Sequence, residues 1–129
     1  MVGIAYEVAK YLDNCGFGTL GTDIFVGQIP ADTNGIWIEE AGGQLSNYTP
    51  IEESVVDIFV KDIKSELAIQ KLEQIKYHIH RMHDVSIDHT YMFTLLVIGD
   101  VIDSQRDMEY AKAYKITLQV MHRNTNLIS

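Results

Sequence analysis

The chain has 129 residues, enough for one domain with a substantial core and too few for two. At 47% hydrophobic and 22% charged residues it has the composition of a folded globular protein, not of a disordered one. Its net charge of −8 excludes the basic patch by which proteins ordinarily grip nucleic acid. The excess sits in residues 1–60, where nine acids face a single base, Lys10; residues 61–129 hold nine of each sign. Cys15 is the only cysteine, so no internal disulfide forms, in keeping with a reducing compartment. The opening residues do not read as a signal peptide, and no run approaches the ~18 apolar residues of a membrane span.

A helix is expected first. Ile4, Val8, Tyr11 and Leu12 follow helical spacing, and Asn14-Cys15-Gly16 supplies a stop. Asp23-Ile24-Phe25-Val26 reads as a short strand, followed by a long loop from Gly27 to Gly35. Ile36-Trp37-Ile38-Glu39-Glu40 is a second strand, ended by Gly42-Gly43 and a polar stretch through Pro50. Ser54 to Lys61 is the clearest early strand: Val56, Ile58 and Val60 face one way, Val55, Asp57, Phe59 and Lys61 the other.

The period then changes to 3.6. Ala68, Leu72, Ile75, Ile79 and Met82 form one face of a helix from about Ser65, its expected N-cap, to His83. Tyr91 to Ile98 is an apolar run of strand length. A charged connection, Gly99 to Asp107, leads to the alternating strand Glu109 to His122, and residues 124–129 read as a flexible tail. The predicted class is α+β: one domain, two helices packed on a mainly antiparallel sheet of about five strands, in the order α-β-β-β-α-β-β.

Catalytic patterns are weak. Gly16-Phe17-Gly18-Thr19-Leu20-Gly21 matches G-x-G-x-x-G, but a dinucleotide site needs a strand before it and a helix after it, and here the order is reversed. His78, His80, His83 and His89, with Asp84 and Asp88, have metal-like composition. Residues two apart on a helix diverge by about 200°, so only His80 with His83 or Asp84 converges; solvated histidines are the simpler reading. Glu39-Glu40 and Glu52-Glu53 are sequence neighbours, which point to opposite faces of a sheet and make no carboxylate dyad. No nucleophile motif is present. The expectation is no catalytic residue, no metal and no cofactor, with a small metal enzyme built on His80, His83 and Asp84 as the competing reading.

Apolar residues on the face away from the helices are more informative. Val55 and Phe59 oppose the Val56/Ile58/Val60 face, Trp37 opposes Ile36 and Ile38, and Tyr91 to Ile98 is apolar on both sides. Either a partner protein or a loop of the same chain covers them.

The run Ile24-Phe25-Val26-Gly27-Gln28-Ile29-Pro30, the strand Ile36–Glu40, the strand Val55–Val60 leading into a long helix, and Ile98 to Asp107 entering the last strand together resemble the tail terminator (tail completion, minor capsid) proteins of long-tailed bacteriophages. The resemblance is one of layout and covers nearly the whole chain. It implies a structural virion protein at the tail–neck junction, made in the host cytoplasm. It also implies a homo-oligomeric ring of about six copies that caps the tail tube, ends its growth and joins the head connector or stopper. Another neck or head-completion protein is the alternative.

Position alone suggests Trp37, Val55, Phe59, Asp100, Asp103, Arg106 and Asp107 at the subunit or tube interface. The loops Gly42–Pro50 and Asp100–Asp107 are the candidate contacts. In a ring, Glu39, Glu40, Glu52 and Glu53 are candidates to line the hole, letting DNA pass without specific binding.

Overall fold

In the computed structural model, residues 4–30, 33–45, 52–80, 82–87, 90–103 and 112–124 are described. The elements are α1 (Ile4–Asn14), β1 (Ile24–Val26), β2 (Gly35–Leu45), β3 (Glu52–Asp62), α2 (Ser65–Ile79), β4 (Met82–Ile87), β5 (Thr90–Asp103) and β6 (Lys112–Asn124). The strands form one sheet in the order β1-β2-β3-β6-β5-β4, antiparallel throughout except for the parallel β1/β2 pair.

Alternation along each strand creates the core. Ile36, Ile38, Val56, Ile58, Val60, Leu95, Val97, Ile116, Leu118 and Val120 share one face of the sheet. The α1 stripe (Ile4, Val8, Leu12) and the α2 stripe (Ala68, Leu72, Ile75, Ile79) close over it, and the last three of the α2 stripe are 0% exposed. Burying each such large side chain contributes about 1.5–3 kcal/mol.

The expected class stands: α+β, two helices, and a mainly antiparallel sheet. Two details of the second helix differ. Its N-cap is Lys64, without a side-chain cap, while the Lys64 N–H is held by Asp62 Oδ1 at 2.9 Å. Its end is Ile79, because His80 adopts extended backbone (ψ 125°). Met82, spaced as the next helical core residue, instead opens β4, a sixth strand paired with Leu95 of β5. Core spacing alone does not separate the two cases: Met82 packs on the core from either. The expected tail begins inside β6, which runs to Asn124; residues 125–129 lie outside the described residues.

Parallel pairing has a consequence for the second face of the sheet. A chain leaving β1 must travel back along the strand direction before starting β2. Gly27 and Gly35 bracket this return. Gly27 has φ 88°, and a Cβ on Gly35 would stand 2.6 Å from the Asp23 carbonyl oxygen. On the way the return segment drops Ile29 onto Trp37, Phe59 and Ala113, a small second core on the face opposite the helices. Lys61, 0% exposed, lies in the same region and donates from Nζ to the Pro30 carbonyl at 3.1 Å.

Candidate interaction surface

The face of the sheet away from the helices has two parts. At the β2 end, Trp37 and Phe59 stack with ring centroids 4.6 Å apart and planes 7° apart, under Ile29. They are 2% and 1% exposed, so the chain's own return segment covers both rings and neither presents itself to a partner as an interface residue. Beside them runs a polar row. The Trp37 indole N–H donates to Glu39 Oε2 at 2.8 Å, Thr117 donates to Asp57 Oδ1 at 2.8 Å, and Lys115 Nζ lies 3.4 Å from Asp57 Oδ2. Gln119 donates to Glu53.

Further across, the row turns apolar and open. Ile98 and Ile102 sit opposite Thr117 and Lys115 in the β5/β6 register, which places them on this face. Ile98 is 49% exposed, Ile102 51% and Met121 39%. Leu96 and Val55 are half-buried on the same face. On the opposite side of the molecule Tyr77 of α2 is 92% exposed. Reading Tyr91–Ile98 as apolar on both sides catches Ile98. Ile102 is not marked by the sequence because Gly99–Asp107 reads as a polar connection, nor is Tyr77, which lies off the helical core stripe.

The remaining candidates separate in space. Asp100 and Asp103 are exposed but belong to β5, which continues through a bulge between Ile98 and Ile102 with Gly99 at φ 78°. A loop does not begin at Gly99 because the bulge lets pairing resume at Ile102↔Lys115. Asp100 accepts from Lys76 Nζ of α2 at 2.6 Å. The ammonium holds the Asp100 carboxyl below its ordinary range, and the carboxylate raises the Lys76 ammonium. Arg106 and Asp107 lie outside the described residues.

Of the four acids, Glu39 and Glu53 lie on the open face. The exposed Glu40 instead reaches toward the first turn of α1, 3.5 Å from the Ala5 N–H. Glu52 pairs with His122 in the β3/β6 register, and its side chain is outside the described residues. The β2 strand extends to Leu45, so only residues 46–50 of the expected Gly42–Pro50 loop remain outside it, and these are not described.

The glycine motif closes α1 rather than holding phosphate. Asp13 Oδ2 accepts the Leu20 N–H at 3.0 Å and Asp23 accepts the Thr19 N–H, so carboxylates occupy the amides an anion would need. His80 leaves the helix and accepts the Val97 N–H on Nδ1 at 3.1 Å, while His78 meets Phe17 edge-on at 5.5 Å. Asp84 lies in β4 at φ 57°; the side chain of His83, and all of Asp88 and His89, lie outside the described residues. Among the described residues no three His, Cys, Asp or Glu side chains form a metal-binding group. No helix among them is long and apolar enough to cross a membrane.

A sequence model of the bacteriophage tail terminator protein family matches residues 11–120, from the second half of α1 to Val120 in β6. The chain belongs to the bacteriophage tail terminator family. Comparison with individual curated proteins returned no match. Membership makes this terminator a structural component of the virion, associated with other head or tail proteins. The matched span includes the helix-covered core, the return segment over Trp37 and the open Ile98/Ile102 strip of the terminator.

Proposed function

We propose that this terminator closes into a ring of about six copies that caps the tail tube, ends its polymerisation and forms the joint to the head connector. It does so without catalysis: it acts by covering the growing face, and many weak contacts per ring add through multivalency. The observation that supports this reading is the Ile98, Ile102 and Met121 strip, still open after the return segment has covered Trp37 and Phe59. An apolar patch of this kind, rimmed by the Asp57, Lys115 and Glu53 polar row, has the layout of a protein contact. Asp103 flanks it.

The site of action is the tail–neck junction. DNA passes through the ring without specific binding, since the −8 charge disfavours contact with phosphates. Glu39 and Glu53 share the open face and Glu40 points elsewhere, so the four acids line a hole together in no single orientation of the sheet. Negative-stain microscopy of the purified protein, alone and with polymerised tail tubes, tests the reading. Rings seated only at tube ends are expected; protein that ignores tubes and never closes a ring overturns it.

A further inference from the structure

The two ends of the sheet are unevenly covered. β1 spans only Ile36 to Ile38 of β2, leaving Glu39 to Leu45 with no strand on the outer side among the described residues. β4 ends opposite Leu95, leaving Leu96 to Asp103 of β5 likewise without a strand neighbour. These overhangs lie at diagonally opposite corners. The β2 overhang sits at the Glu52 end of β3, and Asp103 pairs with Tyr114 near its Asp62 end.

Their directions are also opposed. Three successive antiparallel pairings separate β2 from β5, so the two strands run in opposite senses. A rotation that sets one copy beside the next therefore brings a β2 overhang against a β5 overhang in antiparallel sense. The diagonal offset needs only the tilt that strands adopt in any closed sheet. Peptide groups point the right way on β2. Ile36 donates to Asp23 and Ile38 accepts from Gly27, both outward, and alternation turns Glu40 outward too, up to the bulge between Glu40 and Gly42 that shifts the pattern by one residue.

The β5 overhang is not open in the same way. Its outward N–H at Val97 is taken by His80 Nδ1, one residue past the end of α2. Lys76, in the last turn, grips Asp100 within the bulge. The His80 side chain thus occupies the edge where a strand would add, and an ion pair from the same helix end stands beside it at the bulge. Like charges deepen the block: Glu40 on one overhang and Asp100 and Asp103 on the other are all exposed acids. Edge strands are commonly guarded in this manner against unwanted pairing.

We propose that the last turn of α2 is a releasable guard on the β5 edge, and that the strand it holds off is the β2 overhang of a second copy. Releasing His80 and Lys76 frees Val97 and the bulge for head-to-tail strand pairing, which fuses neighbouring sheets around the ring. This rests on the ring reading above and names its interface. Free subunits stay apart; subunits brought together on a tube end gain enough neighbours to displace the guard.

Sedimentation velocity on the full chain over a range of concentrations tests it, with emission of the buried Trp37 reporting an intact fold. His80→Ala should lower the midpoint for self-association by about fivefold, the scale of one exposed hydrogen bond. Asp100→Asn, which removes the charge that holds Lys76, should shift it the same way, and should still do so at high salt, where the lost repulsion no longer counts. Rising salt should promote association by screening the acids. Adding Glu40→Gln, which removes the like charge and keeps the outward N–H, should enlarge the gain, whereas adding Glu40→Pro, which loses the same charge together with the N–H, should cancel it. If neither His80→Ala nor Asp100→Asn promotes association, or the gain survives Glu40→Pro, the guarded edge is wrong. Wild-type rings on tube ends that persist unchanged in Glu40→Pro also sink the edge while sparing the ring.

Discussion

Trp37 and Phe59 lie face to face across β2 and β3, 4.6 Å between ring centroids, and Lys115 stands 5.8 Å from the Phe59 centroid on the neighbouring strand. The stack is the floor of the small second core beneath Ile29. It is what gives the return segment something to bury, and it turns the two rings from a surface feature into a structural one.

Phe59→Ala should therefore cost about 3–5 kcal/mol of stability, the range for removing a buried aromatic ring. Phe59→Leu should cost less. Urea unfolding followed by Trp37, the only tryptophan, measures both, and native emission in Phe59→Ala should shift to the red as water reaches the indole. A loss under 1 kcal/mol would show that the rings are not buried by the chain itself.

Gly35→Ala should destabilise by about 1–3 kcal/mol, because the new methyl meets the Asp23 carbonyl oxygen at 2.6 Å and backbone cannot step aside as a side chain would. The Ile36 N–H bond to that same oxygen, 2.9 Å long, should weaken with it. Thermal unfolding reads the cost, and amide exchange at Ile36 reads the local loosening.

Ile98→Gln combined with Ile102→Gln should leave stability within about 0.5 kcal/mol, since both side chains are half in water. Ring closure or tube capping should nevertheless be lost. Thermal melts beside electron micrographs separate the two effects; full capping by the double variant would remove the strip from the interface.

The Asp100–Lys76 pair predicts a pH signature with a definite sign. Asp100 has a lowered folded value, so its contribution is present above the ordinary carboxylate range and is lost as pH falls through the folded value. Lys76 has a raised folded value, so its contribution is present below the ordinary lysine range and is lost as pH rises through the folded value. Both groups are in water, so the pair adds little to global stability. NMR titration should find the Asp100 midpoint below that of other exposed carboxylates, and Lys76→Met should return it to the ordinary range.

Local patterning carries the class of fold, most strand positions, the two helices and the side of each strand that meets them. Val56, Ile58 and Val60 alternate, and Ala68, Leu72, Ile75 and Ile79 repeat at helical spacing; both patterns are local and survive any arrangement of neighbours. It also placed Trp37, Val55 and Phe59 on the far face. What covers that face was not local. Nothing in Gly27–Gly35 states that β1 pairs parallel to β2, yet that pairing sends Ile29 over the aromatic stack and leaves Ile98, Ile102 and Met121 open instead.

The same limit explains the remaining differences. Met82 satisfies the core from a strand as well as from a helix, so the end of α2 depends on whether β5 offers an edge to pair with. Asp100 reads as a loop residue until β6 is present to continue the ladder beyond the bulge. Glu39 and Glu40 face opposite sides by alternation, but only the folded chain shows that one meets Trp37 of its own strand and the other the start of α1. A sequence period states which way a side chain points. The three-dimensional neighbour, brought from far along the chain, decides whether it is buried, paired or left for a partner.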